Sequence, residues 1–226
     1  MRKPWFSKID AVVLLSLSIV VGCFLSRQSG SWDASSNTIR VSEGEGTPVL
    51  LDGTISEGEW ADALTVPATE SITLYFKKYG GFVFIGVDCS TLEIPTADLF
   101  FAGDSIRQFH VSSDLGERVL ALGENPDSAP PLEWGRISGW SANEVRWSAT
   151  VVAEKEAAGL PRREAMKAAV YPYGGFEYQF RESKLAGQPL RFRAWIRYRM
   201  DRSGSVVFPQ GTSATDTAGW ATIILF

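Results

Sequence analysis

The chain holds a single histidine, His110, among 226 residues, and that scarcity limits its chemistry. A zinc site built on two histidines is excluded, and a serine triad would have to use this one imidazole. No G-x-S-x-G elbow accompanies it. In Phe109-His110-Val111-Ser112 the side chains alternate, so His110 faces away from Phe109 and Val111 and reads as a hydrogen-bonded histidine on a sheet face rather than as a catalytic base. A carboxylate pair for glycoside hydrolysis can be nominated in any chain with 26 acids, and here none is singled out. No catalytic residue and no metal ligand is assigned, and the chain is expected not to be an enzyme.

Tryptophan and arginine carry the more specific signals. Trp134, Trp140 and Trp147 place three of the eight tryptophans within Glu133 to Trp147, with Gly135, Gly139 and Asn143 between them. Pyranose rings present apolar C–H faces that stack on indole, while their hydroxyls need a few fixed polar partners. Trp147 continues an inward series through Val145, Ala149 and Val151 and belongs to the core. Trp134 and Trp140, in the glycine-bearing loop, are candidate ligand platforms, with a loop tryptophan folded back over the domain as the alternative. Leu190 to Met200 alternates strictly: Arg191, Arg193, Trp195, Arg197 and Arg199 share one face. That face suits an acidic sugar or a phosphate, with Trp195 as stacking centre and arginines such as Arg193 as bidentate donors. The plainer reading, which weighs more, pairs these arginines across strands with acids such as Glu177. Arg107, on the strand that carries His110, completes the candidate ligand set.

These side chains need a frame, and the pattern supplies one. From about Ile39 onward, short segments of period two are separated by Gly, Pro, Asn and Asp clusters, the mark of a β-sandwich. Ile72 to Phe76 and Phe82 to Val87 flank Lys77-Lys78-Tyr79-Gly80-Gly81, a hairpin connection in which glycine supplies positive φ. Arg107 to Ser112 and Glu117 to Leu122 flank another turn. Glu144 to Val152, Phe176 to Arg181, Leu190 to Met200 and Trp220 to Leu225 complete the strands, and no internal repeat is evident. One short helical patch is expected within Ala153 to Ala169, divided by Gly159 and Pro161. The fold class is all-β, an antiparallel sandwich in one domain from residue 39 to 226.

The first 22 residues look like a leader. Arg2, Lys3 and Lys8 precede an apolar run from Ala11 to Val21, the plan of a secretory signal peptide and too short for a membrane span of about 20 residues. The run ends in Val20-Val21-Gly22-Cys23, which resembles the lipobox of bacterial lipoproteins. That resemblance implies acylation of Cys23, a lipid anchor in the cell envelope and, with Phe24 rather than Asp following, the outer membrane if the source is Gram-negative. An uncleaved anchor and a plain secretory signal remain the alternatives. Serines and a glycine between residues 23 and 38 read as a flexible tether. With Cys23 acylated, Cys89 has no partner and is a small buried hydrophobe. Residues 23–226 carry 19 basic and 25 acidic side chains, a net charge of −6, so nucleic acid is not an expected partner.

A second resemblance spans about Val49 to Phe226. Asp52-Gly53, Glu57, Glu59-Trp60 and Ala63, then an apolar strand ending at Asp88, Asp98 before an apolar run, Glu177 in Phe176 to Phe180, and Trp220-Ala221-Thr222-Ile223-Ile224-Leu225 are similar in order and spacing to family 9 carbohydrate-binding modules and the related DOMON-like sandwiches. The resemblance implies an antiparallel sandwich that commonly binds carbohydrate. Within it, Asp52-Gly53 is a turn signal and Trp60 a structural cap whose N–H finds a partner. Some relatives carry structural calcium, for which Asp52, Glu57 and Asp88 are the oxygen donors to consider, though no compact acidic loop accompanies them. Others hold haem through Met and His, and the spacing of His110 to Met166 or Met200 does not support that.

The expected function is that of an exported, lipid-anchored, noncatalytic carbohydrate-binding protein. An envelope structural or assembly protein on the same fold, and an enzyme with cryptic acids, are the competing classes.

Overall fold

The computed structural model describes residues 28–89, 96–112, 114–125, 129, 131–135, 138–143, 148–169, 175–185, 189–197 and 204–226. Cys23, the leader and Trp147 lie outside the described residues. The strands are β1 (Gly30–Asp33), β2 (Thr38–Val41), β3 (Leu64–Pro67), β4 (Thr73–Tyr79), β5 (Phe82–Asp88), β6 (Thr96–Ala102), β7 (Ile106–Val111), β8 (Leu115–Leu120), β9 (Glu133–Trp134), β10 (Trp140–Ala142), β11 (Gly175–Arg181), β12 (Leu190–Arg197), β13 (Ser205–Phe208) and β14 (Ala221–Leu225). Three helices are described, α1 (Glu57–Trp60), α2 (Ala149–Ala157) and α3 (Arg162–Ala168).

Two sheets result. The larger runs β1-β2-β14-β12-β6-β7-β8-β9, with β13 sharing the β14 edge of β12; the smaller runs β10-β11-β5-β4-β3. Period-two side chains meet between them: Leu99, Phe101, Phe109, Phe192 and Ile196 from the larger sheet pack on Phe76, Ile85, Phe176, Tyr178 and Phe180 from the smaller. Edge-on ring contacts fill this core, such as Phe101 with Phe180 at 5.4 Å and Phe76 with Phe192 at 5.5 Å. Gly80 and Gly81, with φ of 60° and 80°, close the β4–β5 hairpin between the paired Tyr79 and Phe82. That double positive φ is what a two-residue turn between twisted strands requires.

Four expectations are corrected. The sandwich is not purely antiparallel, because β14 pairs with β2 in parallel. Ordered chain begins before Ile39: β1 starts at Gly30, inside the stretch read as tether, because Trp32 packs on Phe208 at 5.6 Å and Gly30 lets the backbone approach Arg40. The serines there build a turn instead, with Asp33 accepting from the Ser35 and Ser36 hydroxyls. The strand expected up to Val152 gives way to α2 at Ala149, since Ser148 caps the helix by accepting from the Val151 N–H. Finally there are two helices in this region, not one, and they pack through Val152, Ala165 and Ala169. Gly159 and Pro161 separate them as the sequence suggests.

Cys89 is a free, buried thiol that burial pushes up to about 12, in keeping with an inert small hydrophobe. Among the described residues no helix is long and apolar enough to cross a membrane.

Candidate functional site

Both sheets turn a second face away from the core, and the two faces differ. On the smaller sheet that face is covered by the Val49-to-Ala63 segment. Trp60 is buried there, its indole lying over Gly86, and its Nε1 donates to Glu177 Oε1 at 3.0 Å. Glu177 Oε2 accepts from the backbone N–H groups of Asp52 and Gly53 at 2.9 and 2.7 Å. Burial outweighs these donors and pushes the Glu177 carboxyl up to about 7. The Asp52-Gly53 to Trp60 motif is thus a structural lid locked by Glu177. Glu177 is therefore not the counter-charge of the β12 arginines, which lie on the other sheet, and that expected pairing is corrected.

Asp52 spends its carboxylate on the Thr54 N–H. Among the described residues no group of three or more His, Cys, Asp or Glu side chains is placed to hold a metal ion.

The outer face of the larger sheet is mixed: Phe100, Ala102, Ile106, Leu120 and Trp220 make a buried apolar cluster on it, and beside that cluster lies a row of polar residues that are themselves mostly buried. Strand register sets a row across it: Trp195 on β12 opposes Asp98 on β6, Asp98 opposes His110 on β7, His110 opposes Gly116 on β8, and Gly116 opposes Trp134 on β9. A neighbouring row runs Arg193, Phe100, Gln108, Arg118. Asp98 is the hub and is fully buried. Its Oδ1 accepts from Gln108 Nε2 at 2.7 Å and lies 2.8 Å from His110 Nδ1, and its Oδ2 accepts from Arg197 Nη2 at 2.7 Å. Against the opposing effect of burial, these contacts hold its carboxyl below the usual carboxylate range. Gln108 Oε1 in turn accepts from Arg118 Nε at 2.7 Å.

On its other side, His110 Nε2 lies 3.0 Å from Ser112 Oγ. Ser112 Oγ is also drawn into a turn with the Asp114 backbone, at 3.3 and 3.4 Å.

Two tryptophans end the row. The Arg197 guanidinium stacks 4.5 Å from the centre of Trp195. Trp134 packs over Gly116 and meets His110 edge-on at 5.3 Å, yet remains 55% exposed. Arg193 is only 5% exposed and lies 5.2 Å over the Phe100 ring; its Nε and Nη1 have no hydrogen-bond partner among the described residues, and burial pushes the guanidinium pKa down. Two unsatisfied N–H groups on a buried cation cost on the order of 1–3 kcal/mol each.

Of the five ligand candidates, Trp134, Arg193 and Trp195 come together on this face. Trp140 does not: it is 6% exposed, sits in the main core and packs on Phe109 at 5.1 Å and parallel to Phe180 at 6.2 Å. Its assignment as a platform is corrected, because it occupies an inward position of β10. Arg107 is also elsewhere: Gln108 and His110 face outward, so their neighbour Arg107 points to the core side and lines a separate cleft with Lys184. Asp98 and Gln108 were missed as site residues. The available signal was a lone acid, Asp98, inside the otherwise apolar run from Ala97 to Ala102.

Comparison of the chain with known protein families, with curated proteins and with solved structures finds no match.

Proposed function

We propose that this chain is an exported, noncatalytic saccharide-binding protein, anchored through an acylated Cys23, that holds its ligand on the outer face of the nine-stranded sheet. The observation that carries the reading is the cross-strand row from Trp195 through Asp98 and His110 to Trp134, with an exposed indole seated on a glycine. Its two tryptophans stand four strands apart, roughly 19 Å at about 4.8 Å per step, a span for a run of linked rings rather than a single sugar. Trp134 supplies the apolar platform, and the half-buried Arg197 guanidinium, held by Asp98 through Nη2, supplies a fixed charged donor group for hydroxyls. The resemblance to family 9 modules points to the same ligand class.

A glycan array probed with the full-length protein in detergent tests the binding: wild type should retain one or more polysaccharides, and Trp134→Ala should release them. No retention of any neutral or acidic polysaccharide would remove the proposal. Metabolic labelling with palmitate tests the anchor, and label that persists in Cys23→Ser would refute acylation at that residue.

One observation favours a second reading. The chain Asp98 to His110 to Ser112 has the connectivity that primes a serine nucleophile. A fluorophosphonate probe decides: if Ser112 Oγ attacks phosphorus, its proton passes to His110 Nε2 and fluoride leaves, and an adduct at Ser112 would select a hydrolase. The shared hydrogen bonds of Ser112 with Asp114 tie the hydroxyl into a turn, and the binding reading is preferred on that ground.

A further inference from the structure

A second polar site lies apart from the row just described. A cleft of about 670 Å³ is lined by Arg107, Ser138, Gly139, Arg181, Ser183 and Lys184. Its cations come from three places in the fold: β7, the last residue of β11, and the 3-10 turn Glu182–Leu185 that follows. Short contacts fix the frame. The Arg181 N–H donates to the Gly139 carbonyl at 2.8 Å, and Gly139 takes a positive φ of 74° against the Lys184 side chain. Lys184 Nζ donates to Glu117 at 3.0 Å and lies 5.7 Å over the Phe109 ring, so that one charge is compensated and one edge of the cleft is held.

Arg107 and Arg181 are different. Both are exposed, and neither makes a side-chain hydrogen bond or ion pair among the described residues, in a chain whose net charge is −4. Two uncompensated guanidinium groups and two serine hydroxyls lining one cleft are groups suited to an oxyanion: planar forks for the charge, hydroxyls for what surrounds it. The volume falls in the range of sites for small organic molecules and well exceeds a bare phosphate.

We propose that this cleft binds an acidic saccharide, with Arg107 and Arg181 clamping a sulfate, phosphate or carboxylate group and Ser138 and Ser183 meeting neighbouring hydroxyls. This stands independently of the reading of the outer sheet face, since the cleft shares no residue with the Trp195-to-Trp134 row.

Calorimetric titration of the full-length protein with a heparin-derived sulfated disaccharide, with inorganic phosphate and with cellobiose tests it. The sulfated disaccharide should bind more tightly than phosphate and weaken with added salt. Cellobiose should not compete. The double variant Arg107→Ala/Arg181→Ala, at exposed positions that leave the core intact, should lose about tenfold or more in affinity, while Trp134→Ala should leave it unchanged. Equal affinity of wild type and double variant, no binding of either anionic probe, or displacement by cellobiose would overturn the assignment of the cleft. Phosphate binding as tightly as the disaccharide would overturn its saccharide component. Loss of neutral-glycan binding in Trp134→Ala alone would concern only the outer face.

Discussion

Gly116 and Trp134 are cross-strand partners on β8 and β9, and the indole fills the space a side chain at residue 116 would need: a Cβ there would stand 3.1 Å from Trp134 Cε3 and 3.2 Å from Leu132 Cβ. Gly116→Val should therefore displace Trp134 rather than unfold the domain, at a cost of about 1–3 kcal/mol. Tryptophan fluorescence should change and saccharide affinity should fall. An unchanged emission spectrum with full binding would show that the seat of Trp134 on Gly116 has no bearing on the ligand.

Trp134 and Trp140, six residues apart, should respond oppositely to truncation. Trp140→Ala empties a core position and should destabilise by about 3–5 kcal/mol in urea unfolding. Trp134→Ala should change stability by less than about 1 kcal/mol, as is usual for an exposed side chain, while removing binding.

Asp98 joins three strands, through Arg197 on β12 and through Gln108 and His110 on β7. Asp98→Asn leaves Arg197 without its buried counter-charge and should cost about 3–5 kcal/mol. Because the folded carboxyl titrates below its ordinary 3.8, Asp98 contributes stability that is present above that value and lost as pH falls through the folded pKa. Acid unfolding of Asp98→Asn should accordingly show a shallower pH dependence below about pH 4 than wild type.

Glu177 has the opposite sign. Its carboxyl moves from the ordinary 4.5 up to about 7 on folding, so within that window the native state holds a proton the unfolded chain has released. Stability from this group falls as pH rises from 4.5 to 7. Unfolding midpoints measured across the window should decline in wild type, and the decline should flatten in Glu177→Gln.

Much of the frame is legible in the residues. Strict alternation in Leu190 to Arg197 and Phe176 to Arg181 marks β12 and β11, and the paired glycines mark the β4–β5 turn. The helix boundary at Ala149 was not legible, because Val151 and Val152 suit a strand and the decision falls to the Ser148 cap. Nor was β1, whose few apolar contacts reach Phe208 far along the chain. The site was half legible. Trp195 and Arg193 announce an unusual face, but which residues stand beside them depends on cross-strand register. Trp195 meets Asp98 across 97 positions of sequence, and no local pattern links them. For the same reason Trp140 resembled Trp134 in sequence, and only the inward turn of β10 separates them.

The most direct test is a titration of full-length wild type and Trp134→Ala with the same soluble oligosaccharide series, read by calorimetry and by iodide quenching of tryptophan fluorescence. Saturable binding in wild type, protection of one exposed indole on saturation and loss of both in the variant are the expected results. Quenching unaltered at saturating ligand, or undiminished affinity in Trp134→Ala, would contradict a saccharide site on the outer face of the larger sheet.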